Sequence, residues 1–188
     1  MEIALFGGSF DPPHVGHLLT AAWVLLTEPV DELWLVPVNQ HPFGKQMTGS
    51  FEERASLCEQ ALASLGLARA RVSRLEAELG GEVRTVDLLE HLNAARPADR
   101  FALVMGSDIL AETPQWKRFD RIEQLARIIP VQRKGHQQHQ QRGGTAEALL
   151  PEVSSSAVRA RLAAGEDVSG LVPRAVLEAI SRSGSYRR

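Results

Sequence analysis

Two histidines three positions apart, His14 and His17, stand where a glycine-containing loop gives way to an apolar helical pattern. The loop is Gly7-Gly8-Ser9-Phe10-Asp11-Pro12-Pro13, and the pattern runs from Leu18 to Leu26. Two glycines, a serine, an aspartate and two prolines make strong turn chemistry. With this spacing both imidazoles fall on one face of the helix's first turn. Free backbone N–H groups and the positive end of the helix dipole gather at the same place. Such a start suits a phosphate, with two side-chain donors added. Two other readings stand beside it: local hydrogen bonds within the turn, or Asp11, His14 and His17 as ligands of a transition metal. No cysteine or further carboxylate accompanies the three to support a metal.

A second string of the same kind is Val153-Ser154-Ser155-Ser156-Ala157-Val158-Arg159. Three hydroxyls precede an apolar-periodic helix, so one caps it and its neighbours crowd the free N–H groups. Arg159 follows Ser156 by three, one turn further on the same face. This is a second phosphate site or a plain structural cap. Trp116 stands beside Lys117 and Arg118 after a Pro-containing loop, as a stacking surface or as core. Cys58, the lone cysteine, lies in an apolar helical pattern and reads as a buried structural thiol. His136 and His139 sit in the glutamine-rich stretch 135–144, which reads as a solvated loop, with metal binding the minor alternative. The chain offers no serine–histidine–acid triad and no P-loop lysine motif, so hydrolase and P-loop kinase chemistries lack their parts.

The elements that must position these residues alternate. Ile3 to Phe6 reads as a buried strand, and Glu32 to Val38 as a second; 39–50 is a polar loop. A helix is expected over 51–65, stopped by Gly66, then a short strand at 70–73 and a charged connection over 76–84. Helix 85–96, strand 101–105, helix 115–125 and strand 126–132 follow, with Pro130 marking an edge or bulge. A last strand is possible at 148–153, and two helices, 156–164 and 173–182, close the chain, Pro173 just inside its helix start. The fold class is α/β: a Rossmann-like, doubly wound parallel sheet of about five to six strands, helices on both faces, and a small C-terminal helical part. It is expected as one domain over 1–188, with phosphate-binding helices at about 153–183. In such sheets ligands bind at the carboxyl ends of the strands. The loops 7–17, 38–45 and 106–108 would therefore share one cleft.

At 188 residues, with 44% hydrophobic and 23% charged residues, the chain has the composition of an ordinary globular protein with a full core. A net charge of -2 argues against a dedicated nucleic-acid binder, although a nucleotide needs only a local basic patch. One cysteine excludes an internal disulfide framework and fits a reducing compartment. No basic leader precedes the first strand and no apolar run reaches membrane-spanning length, so a cytoplasmic location without a membrane partner is expected.

The string from Gly8 to His17 resembles bacterial nicotinate-nucleotide adenylyltransferases, within the nucleotidyltransferase superfamily that carries H-x-G-H. Val153 to Arg159 is similar to that family's I-S-[ST]-T-x-[IV]-R, and Gly106-Ser107-Asp108 to its G-x-D. Arg84-Thr85-Val86-Asp87-Leu88-Leu89 resembles Y-T-x-x-T-L, Arg133-Lys134-Gly135 stands for R-P-G, and Glu53-Arg54 resembles the start of the helix after the lysine loop. The resemblance implies transfer of the adenylyl group of ATP to nicotinate mononucleotide, giving deamido-NAD and pyrophosphate. It implies His14, His17, Lys45 and Arg159 as catalytic. For ATP it implies Gly7, Gly8, Ser9, Phe10, Gly16, Gly106, Asp108, Arg133, Ser154, Ser155 and Ser156. For the mononucleotide it implies Asp11, Lys45, Arg84, Thr85 and Trp116. Mg2+ is the implied cofactor, held mainly by the phosphates of ATP, and the partners are small-molecule substrates, with a homo-oligomer left open. Three departures fall on the acceptor side: Gln40-His41-Pro42-Phe43-Gly44-Lys45 where the family has P-P-H-K, Arg84 for tyrosine, and Leu88 or Leu89 for the last threonine. Nicotinamide mononucleotide or phosphopantetheine as acceptor, and a nucleotide-binding module without turnover, are the alternatives.

Overall fold

The computed structural model describes residues 1–40, 44, 46–106, 116–131 and 153–186. Strands β1 (Glu2–Gly8), β2 (Glu32–Pro37), β3 (Ala70–Val72), β4 (Arg100–Gly106) and β5 (Arg127–Val131) form one sheet in the order β3-β2-β1-β4-β5. Every pairing is parallel, with Leu5 opposite Trp34 on one side and Leu103 on the other. Alternation along each strand splits its residues between two apolar layers. Ala4, Phe6, Leu35 and Val104 face one layer; Ile3, Leu5, Val36 and Met105 face the other. Because both faces are covered, the central strands β1, β2 and β4 are near-continuous apolar runs, as parallel sheets require.

Helices α1 (Val15–Thr27) and α2 (Phe51–Leu65) contribute Leu18, Val24, Leu57 and Leu62 to the first layer. The C-terminal helices α6 (Ser155–Ala163) and α7 (Arg174–Ser183) join the same layer through Val158, Val176 and Ile180. On the opposite face α4 (Thr85–Ala95) and α5 (Phe119–Leu125) supply Val86, Leu89, Leu92 and Ile122. The doubly wound expectation is met, with five strands among the described residues. Ser50 caps α2 by accepting from the Glu53 N–H at 3.2 Å, and left-handed Gly66 (φ 62) ends it. Pro130 sits exposed in β5, which is an edge strand among the described residues, the place where a missing N–H is tolerated.

Three local expectations are corrected. The charged connection at 76–84 contains a short helix, α3 (Leu75–Leu79), whose Glu76 is buried. Its charged composition hid the turn. Helix 115–125 is shorter, since Arg118 adopts a left-handed conformation (φ 53) and α5 starts only at Phe119. Trp116 therefore lies in a bend rather than on the helix. Pro173 is the N-cap of α7, one position outside the helix. Of the strand expected at 148–153, Val153 is irregular and 148–152 lie outside the described residues. No helix among the described residues is long and apolar enough to cross a membrane.

The sheet order reverses between β1 and β4: β2 and β3 extend one way from β1, β4 and β5 the other. The carboxyl ends of β1 and β4 consequently diverge into loops on opposite sides, and a crevice opens above them.

Candidate functional site

The loop leaving β1 is built around Phe10. Its side chain is fully buried, its backbone is left-handed (φ 45), and its ring packs edge-on against Phe6 and His17. A Cβ on Gly8 would lie 3.1–3.3 Å from that ring, so glycine is what lets the loop fold back here. Gly7 is exposed and Ser9 half-buried beside it. The Val38 N–H donates to the Gly8 carbonyl at 3.0 Å and prolongs the β1–β2 pairing into the loop.

His14 is the N-cap of α1 and His17 its third helical residue. Their rings stack at 3.6 Å with 22° between planes, and both are buried. The His14 backbone N–H donates to His17 Nδ1 at 3.1 Å, the return half of a capping box. An Nδ1 that accepts carries no proton, so a neutral His17 has its N–H at Nε2. The expectation of shared orientation is met, and the tautomer follows from the cap. The free N–H groups are fewer than expected, because Val15 donates to the Leu171 carbonyl at 2.9 Å. Gly16 is buried in the same turn.

The second helix start lies against this loop. Ser154 caps α6, its Oγ accepting from the Ala157 N–H at 3.1 Å. Buried Ser155 turns the other way and donates to the Pro12 carbonyl at 2.9 Å. Ser156 remains exposed, and its Oγ accepts from Arg159 Nη2 at 3.2 Å. Arg159 Nη1 donates to the Asp11 carbonyl at 2.5 Å and stands 3.6 Å from the Asp11 carboxylate. The three hydroxyls thus divide into a cap, a fastener and an open donor, which corrects the expectation that Ser155 faces a phosphate.

Asp11 is also corrected. Its carboxylate is 1% exposed. It accepts from the Thr48 N–H at 2.8 Å, the Gly49 N–H at 2.9 Å and the Tyr186 hydroxyl at 2.8 Å. The resemblance implies it for the mononucleotide; the partners that draw it in are far away in the chain.

Across the crevice, Val38, Glu76, Val83, Arg84, Thr85, Trp116, Lys117 and Ile122 line a pocket of about 90 Å³. Thr85 opens α4 and Arg84 is its N-cap, paired with Glu82 at 2.5 Å. Trp116 is half-buried, edge-on to Phe119 at 6.3 Å, and Lys117 pairs with Asp87 at 3.2 Å. The structure thus brings Arg84, Thr85 and Trp116 together. Gly106 ends β4 at the crevice. Lys45, Asp108 and Arg133, together with His41, Ser107 and His136, lie outside the described residues.

Two residues of this region were missed. Arg54, 1% exposed on α2, donates to the carbonyls of Ser9 at 2.8 Å, Val38 at 2.7 Å and Gly49 at 3.1 Å. Burial pulls its guanidinium below the ordinary arginine range, and the nearby Asp11 carboxylate opposes that shift. Glu76 accepts from the Asn39 N–H at 2.9 Å, and burial pushes its carboxyl up to about 7. The resemblance marks Glu53-Arg54 only as the start of a helix, with no role for the arginine; Glu76 carries no signal.

A family model described as cytidylyltransferase-like matches residues 5–161. That span runs from β1 through both helix starts as far as Arg161. The chain belongs to the cytidylyltransferase-like family. Among cytidylyltransferase-like relatives, one named as a probable nicotinate-nucleotide adenylyltransferase, from Anaeromyxobacter dehalogenans, is 50% identical over 99% of this chain and 97% of its own. Another of the same name, from Myxococcus xanthus, is 45% identical over 99% of this chain and 95% of its own. The fold also matches solved structures of Plasmodium falciparum nicotinic acid mononucleotide adenylyltransferase, complexed with APC in one and NaAD in another. There the TM-score is 0.76 at 18% identity, covering 98% of this chain and 96% or 97% of those.

Proposed function

We propose that this protein transfers the adenylyl group of ATP to nicotinate mononucleotide, releasing pyrophosphate and forming deamido-NAD. The observation that carries the reading is the pair of helix starts, His14–His17 and Ser154–Arg159, fastened to one another at the switch point of a parallel sheet. The Trp116 pocket lies across the same crevice, and near-full-length relatives named for this reaction support the choice of acceptor.

No protein nucleophile is needed. An oxygen of the mononucleotide phosphate attacks the α-phosphorus of ATP, forming one P–O bond as the bond to the β-phosphate oxygen breaks. The protein's work is alignment and stabilisation of the charge that moves onto pyrophosphate. In this reading His17 Nε2–H, with His14 stacked beside it, is the donor to the α- and β-phosphates. Ser156 and Arg159 meet the β- and γ-phosphates at the start of α6. Gly7, Gly8, Ser9, Phe10, Gly16 and Gly106 shape the backbone on the ATP side. Thr85 and Arg84 present the start of α4 to the pyridine substituent, and Trp116 offers a ring face. Lys45, Asp108 and Arg133 take their roles from the resemblance.

Magnesium enters with ATP in this reading and supplies charge neutralisation of the triphosphate. The donor set suits an ion carried by the nucleotide. Among the described residues no three His, Cys, Asp or Glu side chains cluster as ligands, and the Asp11 carboxylate is engaged by two N–H groups and a hydroxyl.

Pyrophosphate release tests the proposal, with ATP, magnesium and one acceptor at a time: nicotinate mononucleotide, nicotinamide mononucleotide or phosphopantetheine. Strong preference for the nicotinate form is expected. Turnover on another acceptor would move the substrate, and none on any would end the enzyme reading.

A further inference from the structure

The chain's single tyrosine sits almost at its end, beyond the helix that left-handed Gly184 (φ 71) terminates. Tyr186 is 3% exposed and its own backbone is left-handed (φ 70). A large side chain buried in a left-handed turn just past a helix end is held by specific anchors. Several are present. Glu53 Oε1 accepts from the Ser183 hydroxyl at 3.5 Å and from the Ser185 hydroxyl. The Tyr186 ring shares the apolar layer of α1 and α2. Its hydroxyl donates to Asp11 Oδ1, and a Cβ on Gly49 would collide with that hydroxyl, so the 48–49 turn is shaped around it.

We propose that Tyr186 is a positioning residue for the ATP side of the site, acting through Asp11 to keep Arg159 available to phosphate. Oδ1 of Asp11 is supplied by the Gly49 N–H and the Tyr186 hydroxyl, both neutral donors, and Oδ2 by the Thr48 N–H. Arg159 reaches the same carboxylate only at 3.6 Å, and spends its shorter bonds on the Asp11 carbonyl and Ser156. Burial and the bond to Asp11 both raise the phenol's pKa, so it stays a donor. Without that hydroxyl, a carboxylate 1% exposed is short of a donor, and the guanidinium closes on it. Arg159 then binds inward, and the Asp11–Pro12 segment that Ser155 and Arg159 pin is displaced.

The inference rests on the adenylyl-transfer reading for what Arg159 contacts. Tyr186→Phe keeps the ring and removes only the oxygen. The expected result is ATP binding weakened about fivefold by calorimetry and kcat lowered about tenfold, with nicotinate mononucleotide affinity unchanged. In an Arg159→Ala background, Tyr186→Phe should add nothing to the loss of ATP affinity. Unchanged ATP affinity in a folded Tyr186→Phe protein overturns the proposal, as does equal weakening of both ligands, the mark of general loosening. Independent, multiplying losses in the double variant overturn it too. If Tyr186→Phe does not fold, Gly49→Ala, whose Cβ would collide with the Tyr186 hydroxyl and meet Arg54 Cγ at 3.1 Å, is read on the same ATP titration beside Arg54→Leu. A larger loss of ATP affinity in Gly49→Ala supports the proposal, and an equal or smaller one overturns it. That titration needs no acceptor: a parent protein that binds ATP but makes no deamido-NAD defeats the function above while the role of Tyr186 is still judged.

Discussion

At the scale of single residues, the site depends on how a histidine is presented. His17 Nδ1 is committed to the His14 backbone N–H at 3.1 Å, so a neutral His17 carries its proton at Nε2. His17→Ala removes that donor together with one capping bond. We expect kcat to fall by about two to three orders of magnitude, while the cap's loss costs about 1 kcal/mol of stability. Steady-state kinetics beside a thermal melt separate the two; a folded variant with near-parental kcat would remove His17 from the chemistry. The histidine pair was legible in the sequence because cap, spacing and helix are all local. Asp11 was not, because its partners Thr48, Gly49 and Tyr186 are 37, 38 and 175 positions away. Loop composition predicts a turn; it carries no record of which distant donors will close on it.

At the scale of elements, α2 and α3 hold the crevice loops in register. Arg54 reaches from α2 to the ends of β1 and β2 and to Gly49, satisfying three carbonyls with one guanidinium. Arg54→Leu would leave those carbonyls without their donor, and we expect a loss of about 3 kcal/mol in chemical denaturation. A loss near zero would mean that the loops hold without it. From α3, Glu76 gives the fold a pH dependence. Its folded carboxyl titrates near 7 against an ordinary 4.5. Below the lower value both states are protonated and stability is full. Between the two, the unfolded chain ionises while the folded one keeps its proton, so stability falls as pH rises; above the upper value the penalty is constant. Glu76→Gln retains an acceptor for the Asn39 N–H and has no charge to bury. It should equal the parent at about pH 4 and exceed it by up to about 3 kcal/mol at about pH 8. Equal denaturation midpoints at both pH values would place the titration elsewhere. Neither feature could be read from periodicity: α3 is five residues long, and α5 starts only after the left-handed Arg118 (φ 53).

At the scale of the whole molecule, the alternation of apolar runs sufficed for the doubly wound sheet, because parallel strands covered on both faces must be apolar throughout. The same topology divides labour between the two ends of the sheet. At the carboxyl end stand the helix starts and the pocket. At the amino end, Arg127 bridges Glu2 at 2.8 Å and Glu28 at 2.7 Å, and the terminal amine meets Asp99 at 2.9 Å, all partly exposed. Exposed ion pairs of this kind contribute about 0–1 kcal/mol. Ligand binding to the folded state alone contributes about 2.7 kcal/mol at a hundredfold excess over Kd, a rise of roughly 5–10 °C in Tm for a chain of this size. Saturating ATP should therefore raise the melting temperature of the parent and of Arg127→Ala by the same amount. On the proposed contact with the β- and γ-phosphates, Arg159→Ala should lose most of that rise. If Arg127→Ala also abolished the ATP-dependent rise, the nucleotide would not sit at the carboxyl end, and the site assembled from the two helix starts would be in the wrong place.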